Sequence, residues 1–131
     1  MSEDETTTTP AVTAPAERLH RPVLLVDLNR EAAALKEEKP WQVRGHNART
    51  LAKDIDLRLV LVALKAGARL KEHQAEECVS VHALSGRLRL KLPERTVELT
   101  AGQVLVMERG LTHDVEALEE STFLLTVPTP R

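Results

Sequence analysis

Short segments with a period of two, separated by turn residues, fill the chain after its first forty residues and constrain its fold most strongly. In Arg87–Leu92, leucine alternates with arginine or lysine at every position. This pattern is typical of a strand with one buried face. The predicted strands are Arg49–Ala52, Leu57–Leu64, Cys78–Leu84, Arg87–Leu92, Thr96–Leu99, Val104–Met107, His113–Leu118 and Thr122–Val127. Many short strands between turns predict an all-β barrel or sandwich.

The N-terminal forty residues have a different character. Residues 1–20 include four consecutive threonines and several acidic residues, and such a composition predicts a disordered tail. Arg21–Val26 is apolar enough to add an edge strand. Asp27 is placed to cap a short helix, which we expect Pro40 to end. The predicted organisation is therefore a tail over residues 1–20 and one β-barrel domain over residues 21–131.

Composition excludes several classes of protein. A length of 131 residues leaves room for one domain, and the net charge of −2 includes no basic stripe that would bind nucleic acid. Trp41 and Phe123 are the only aromatic residues, so a platform that stacks bases is not expected. No apolar run is long enough to span a membrane, and no signal peptide is visible. We therefore expect a cytoplasmic protein, in which the single Cys78 forms no internal disulfide.

Glycines and histidines recur in two stretches of the chain, with the glycines at the junctions between predicted strands. One stretch opens on a glycine, reaches a histidine and ends on a second glycine, and a later stretch holds two glycines followed by a histidine. The six positions are Gly67, His73 and Gly86, and then Gly102, Gly110 and His113. These stretches resemble the two signature motifs of the cupin superfamily, and in particular its small cupin-2 type members, whose activity is unassigned. The resemblance implies an antiparallel jelly-roll β-barrel with a short N-terminal helix.

The same resemblance implies a metal site, and here the sequence departs from the pattern. Cupin metal centres resemble a set of three histidines and one glutamate, suited to iron, manganese, nickel or zinc. The second histidine of the first motif is Ala75 in this chain. The glutamate position falls on Val79, or on Ser80 if one residue of slack is allowed. A metal held by His73 and His113 alone would have fewer than the three protein ligands that are usual for a catalytic ion.

We therefore expect a small-molecule ligand at the mouth of the barrel, beside a degenerate metal site. The residues expected to line this pocket are His73, His113, Val79, Val81 and Arg109. One alternative is a metal-dependent cupin enzyme, a dioxygenase or isomerase acting on a small polar metabolite. A second alternative is a scaffold without catalytic activity that functions as a dimer.

Three further side chains carry predictions about position. His82 alternates with two neighbours that should face the interior, so we expect it on the outer face of its sheet. Cys78 is expected to be a small buried or half-buried residue. Trp41 is expected to cover one end of the barrel.

We expect a homodimer, because an exposed edge strand such as Arg21–Val26 can be covered by exchange between subunits. Light scattering of the purified protein should therefore give about twice the chain mass of 14.5 kDa. A particle with the mass of one chain would contradict this expectation.

Overall fold

The computed structural model describes residues 23–74 and 77–128, with the side chains of all of these except residues 72–74. The predicted tail at residues 1–20 lies outside the described residues. Of the predicted edge strand Arg21–Val26, only residues 23–26 are described, and they have no regular secondary structure. The strand prediction is therefore wrong for this part, because Val26 packs against the apolar cluster between the helices and the sheet instead of pairing with a strand.

Two short helices precede the strands in the described ranges, where the sequence predicted one. The first, α1, spans Leu28–Leu35, and the carboxylate of Asp27 accepts a hydrogen bond from the backbone N–H of Arg30 at 3.2 Å, as a capping residue does. The second, α2, spans Lys39–Arg44. Pro40 does not end α1; it lies in the first turn of α2, where its missing N–H leaves no hydrogen bond unmade.

Nine strands follow in the part of the chain that the structure describes. They are β1 His46–Lys53, β2 Leu57–Leu64, β3 Arg69–Gln74, β4 Val79–Ser85, β5 Arg87–Lys91, β6 Thr96–Thr100, β7 Val104–Met107, β8 Thr112–Ala117 and β9 Ser121–Pro128. Each predicted strand matches one of these to within a few residues. Strand β3 was not predicted, because its sequence RLKEHQ is polar and its pairing register shifts between Leu70 and His73.

The strands form two antiparallel sheets that face each other, which confirms the predicted jelly-roll barrel. The larger sheet has the order β1-β2-β9-β4-β7, and the smaller one has the order β3-β8-β5-β6. Apolar side chains from both sheets fill the space between them. The largest fully buried members are Phe123, Leu64, Leu88, Leu90, Leu125, Val60, Val62, Val81 and Val115. Leu88 and Leu90 lie in this core while Arg87, Arg89 and Lys91 lie outside, as their alternation predicted.

The outer face of the larger sheet is buried where α1 and α2 cover it, over β1 and β2. Leu35 of α1 and Trp41 of α2 pack there against Leu61 and Ala63 of β2. The side-chain amide of Asn47 donates a hydrogen bond to the carbonyl oxygen of Leu35 at 2.9 Å, which attaches α1 to the first strand. The prediction that Trp41 covers one end of the barrel is therefore wrong, since the helix places it against the sheet face.

Glycine is required at Gly86, in the tight connection between β4 and β5. Its φ of +80° is a conformation that side chains disfavour. A Cβ atom at this position would overlap the carbonyl oxygen of Glu120 and the hydroxyl of Ser121. Gly102 has a similar φ of +92°, but a Cβ atom there would meet nothing within 4 Å.

This pair of glycines gives a matched test of the barrel. Gly102→Ala should lower the free energy of unfolding by about 1–2 kcal/mol, the cost of placing alanine in the left-handed region. Gly86→Ala should cost a further 1–3 kcal/mol or so, because the chain must also move to relieve the overlap. Urea denaturation of both variants measures the difference. Equal losses would show that the connection between β4 and β5 does not pack as described.

Neither helix within residues 23–74 and 77–128 combines the length and the hydropathy needed to cross a lipid bilayer.

Candidate functional site

The barrel has two ends. His46 of β1 lies at one end, and His113 of β8 lies at the other. At the His113 end, β3 and β4 are joined, β7 leads into β8, and β5 turns into β6. At the opposite end, the His46 end, β1 begins beside the last residue of β2. The motif histidines belong to the His113 end, because His73 and His113 are directly paired in the β3–β8 ladder.

His113 is a polar group enclosed by the apolar core. Its side chain is 1% exposed, and it alternates along β8 with Val115 and Ala117, which are completely buried. Its ring Nδ1 lies 3.0 Å from the carbonyl oxygen of Leu111, two residues earlier in the loop that enters β8. A carbonyl only accepts hydrogen bonds, so Nδ1 carries the proton and donates it. The buried Nε2 is therefore the acceptor atom of the ring.

Burial also sets the charge of this ring. Desolvation lowers the pKa of His113 below its ordinary value of 6.5, while the hydrogen bond to Leu111 and the nearby carboxylate of Asp114 act in the opposite direction. Because desolvation is the largest of the three effects, the imidazole is neutral at pH 7. A neutral imidazole with its proton on Nδ1 can accept a hydrogen bond or coordinate a metal through Nε2.

His73 lies near the end of β3. Its backbone position is directly opposite that of His113. Positions directly opposite each other in an antiparallel pair lie on the same face of the sheet. The sequence motifs therefore bring these two positions together, as the resemblance implied.

The remaining predicted pocket residues divide into core and surface. Val79 is 3% exposed and Val81 is completely buried, and both pack in the central cluster. Arg109 is exposed in the loop between β7 and β8, at the His113 end. Of the predicted lining, Val79 and Arg109 thus belong to this end, and Val81 lies deeper in the core.

These residues do not fit a three-ligand metal centre. The glutamate position holds Val79, whose buried side chain has no donor atom. Among the side chains that the structure describes, no group of three or more histidine, cysteine, aspartate or glutamate residues is arranged to hold a metal ion. Ala75, in place of the second motif histidine, lies outside the described residues and offers no ligand in any conformation. We therefore derive no chemistry through a metal.

Predictions for two other side chains can be compared with the structure. His82 lies on the outer face of the larger sheet, half-buried and paired with Val104 and Leu124, as expected. Cys78 is exposed, so the expectation of a buried or half-buried thiol is wrong. The reason is its place just before β4, where the chain has not yet joined the sheet.

Two residues of the His113 end escaped the sequence analysis. Thr50 is 4% exposed and pairs with Val60, so it faces the interior from β1. Arg58 is half-buried on β2, two residues before Val60 and four before Val62, both of which are core residues. The alternation in LRLVLVAL was the signal that could have found Arg58, because it places that side chain on the interior face.

The pKa shifts of the two barrel histidines predict how stability depends on pH. Burial, together with the nearby Arg44, also lowers the pKa of His46 below 6.5. The unfolded chain then binds protons at a higher pH than the folded one, so stability is complete above pH 6.5 and falls as the pH drops below it. Urea denaturation should show this fall before the carboxylates titrate near pH 4. His113→Gln should make the fall shallower, and an unchanged slope would contradict the assignment.

Comparison with known proteins identifies the fold. No family model matches the sequence, and no curated protein sequence matches it. A conserved protein of unknown function from Streptococcus pyogenes superposes with a TM-score of 0.68 and 24% identity, over 92% of this chain and 99% of that one. A cupin-2 domain protein from Shewanella frigidimarina gives a TM-score of 0.66 and 19% identity, over 79% and 94%.

A third solved structure extends the comparison. KdgF from a Halomonas species matches with a TM-score of 0.61 and 25% identity, over 66% of this chain and 82% of that one. The strand order, the position of the paired motif histidines and these superpositions agree. This protein therefore has the fold of the small cupins.

Proposed function

We propose that this protein binds a small polar molecule inside the barrel at the His113 end, without the help of a metal ion. Nε2 of His113 accepts a hydrogen bond from the ligand, and the position of His73 lies beside it on the same sheet face. The observation that carries the proposal is the neutral imidazole of His113, 1% exposed and held in one tautomer by the carbonyl of Leu111.

The energetic cost of burying this ring supports a functional use. A buried polar group is tolerated when it is hydrogen-bonded, and it destabilises the fold relative to an apolar side chain of the same shape. Neighbouring interior positions on β8 hold valine and alanine, so this strand packs well with apolar residues. An imidazole in such a strand adds nothing to the core that leucine would not provide.

The location supports the proposal too. Ligand sites in β-barrels occur preferentially at the mouth, where a few polar groups interrupt an apolar lining. Among the described residues at the His113 end, Val79, Met107 and Val127 are buried and apolar, while Thr50 and His113 are buried and polar. This combination favours a small molecule with at least one hydrogen-bond donor.

The metal-dependent enzyme is the less favoured alternative. It requires a third protein ligand in addition to the two histidines. Val79 and Ala75 stand where the resemblance places the missing ligands, and neither side chain can supply a donor atom.

A screen of polar metabolites in the presence of a chelator tests the proposal. A ligand that binds the folded protein at a hundred times its Kd raises the free energy of unfolding by about 2.7 kcal/mol, which is a clear rise in Tm. His113→Phe, which has similar volume but no acceptor, should abolish the rise. His82→Ala, on the outer face of the sheet, should keep it.

Nitrogen-15 NMR of the unsubstituted protein provides a readout that does not depend on how the variants fold. Ligand addition should move the Nε2 resonance of His113. Binding that requires an added divalent metal would refute the proposed site. Binding that His113→Phe retains, and that leaves the Nε2 resonance of the unsubstituted protein unchanged, would refute it too.

A further inference from the structure

The outer face of the smaller sheet carries charged side chains at fixed positions. Strand β5 pairs with β8 on one side and with β6 on the other, without a register shift in either ladder. Because Leu88, Leu90 and Val115 face the core, the residues that alternate with them point outward. The outward residues of β5 and β8 include Arg89, Lys91, Asp114 and Glu116.

These four side chains and Arg69 of β3 line a cavity on this face, which we call the outer cavity. Its volume is about 120 Å³. Since a water molecule occupies roughly 30 Å³ in the liquid, the outer cavity has room for a small molecule. Its lining consists of three cationic and two acidic side chains. It lies on the opposite face of the sheet from His113, which is enclosed in the core.

One pair of lining residues is already joined by a hydrogen bond. A guanidinium N–H of Arg69 donates to the carboxylate of Asp114 at 3.0 Å. The side chain of Asp114 is 17% exposed, the lowest exposure in this pair. Because the bond connects β3 to β8 across the outer face, it forms a wall of the outer cavity.

The other acidic residue of the lining is held less closely. Nη1 of Arg89 lies 3.6 Å from Oε1 of Glu116, and Nη2 of Arg89 lies 3.6 Å from Oε2 of Glu98. Opposite charges attract at this separation, but it is too long for a hydrogen bond. A ligand can therefore form hydrogen bonds with Arg89 and Glu116 without breaking one between them.

Lys91 adds a second cation on the same strand. It is exposed, and among the side chains that the structure describes none forms an ion pair with its ammonium group. It follows Arg89 by two positions, so the two residues point to the same side of β5 with backbones roughly 7 Å apart. Two cations on β5 thus lie beside the carboxylate of Glu116 on β8.

A ligand with a carboxylate next to an ammonium group complements this arrangement. The charges of Arg89 and Glu116 are 3.6 Å apart, so the matching charges of a ligand must also be adjacent. In an α-amino acid a single carbon atom separates the carboxylate from the ammonium group. A simple anion would leave Glu116 without a new partner, and a simple cation would be repelled by Arg89 and Lys91.

We propose that the outer cavity binds a small α-amino acid, with its carboxylate on Arg89 and Lys91 and its ammonium group on Glu116. This site is separate from the one at His113, and its occupation requires no ligand there. Ion pairs between exposed groups are individually weak and are screened by salt. Binding should therefore be in the millimolar range and should weaken as salt is added.

NMR titration of the full-length protein at low ionic strength tests the proposal with three probes. Alanine carries both charged groups, propionate lacks the ammonium group, and ethylamine lacks the carboxylate. Alanine should move the backbone amide resonances of Arg89, Lys91 and Glu116. It should bind about fivefold more tightly than either analogue, the factor that roughly 1 kcal/mol from one additional exposed ion pair provides.

Two variants separate the roles of the charged groups. Lys91→Gln should weaken the binding of alanine and propionate about threefold or more without weakening that of ethylamine. Glu116→Gln should weaken the binding of alanine and ethylamine without weakening that of propionate. Lys39→Gln and Glu37→Gln are the matched controls, because they remove the same charges from exposed positions at the helices. Both controls should leave the three affinities unchanged.

Equal affinity for alanine and its two analogues overturns the proposal, and so does the absence of binding at tens of millimolar alanine. An equal loss of affinity in Lys91→Gln and Lys39→Gln would show an effect of net charge alone and also overturns it. The Nε2 resonance of His113 should stay unchanged throughout. If alanine moves that resonance and not the amides of β5 and β8, the outer cavity is not the site, while the proposed function stands.

Discussion

Packing of strands β2 and β9 of the larger sheet on both of their faces is the constraint on which the rest of the structure depends. One face contributes Val60, Val62 and Phe123 to the space between the sheets, and the other buries Leu61 and Ala63 under the two helices. Strands covered on both sides tolerate little change in register, because a slip of one residue would exchange their two faces. The interior positions of β2, including Arg58, are fixed by this packing.

The smaller sheet is packed on one face only, so buried and exposed side chains alternate along its strands. Its interior face buries Leu88, Leu90 and Val115. Its outer face carries ion pairs, such as that of Arg89 with Glu116 at 3.6 Å, on half-exposed side chains that contribute little to stability. His113 is the buried polar exception among the described side chains on this interior face, and the proposed site rests on its burial.

Much of the fold could be predicted from the sequence, because apolar and polar residues alternate along a strand that has one buried face. Strand β2 was predicted with its correct bounds, and β5 with the correct face of each side chain. The polar strand β3 escaped prediction because it lies at a sheet edge and contains a register shift. The role of Pro40 was misread because a proline is compatible both with the end of one helix and with the first turn of the next.

The candidate site was predictable only in part. Spacing relative to glycines placed positions 73 and 113 at one end, and the register of β3 with β8 agrees. Arg58 was missed because a lone arginine at the start of an apolar run resembles a solvated strand end until its register with Val127 is known. The exposure of Cys78 depends on where β4 begins, and strand boundaries are not encoded by local composition.

Metal content is the most direct test of the central claim, that the His113 end binds a polar ligand without a metal ion. The protein is purified after growth in medium supplemented with iron, manganese, nickel and zinc, and its metals are counted by elemental analysis. A site in which the motif positions supply two imidazoles and the described side chains add no third ligand should retain less than about a tenth of an equivalent. A nearly stoichiometric metal that is lost in His113→Ala would contradict the account.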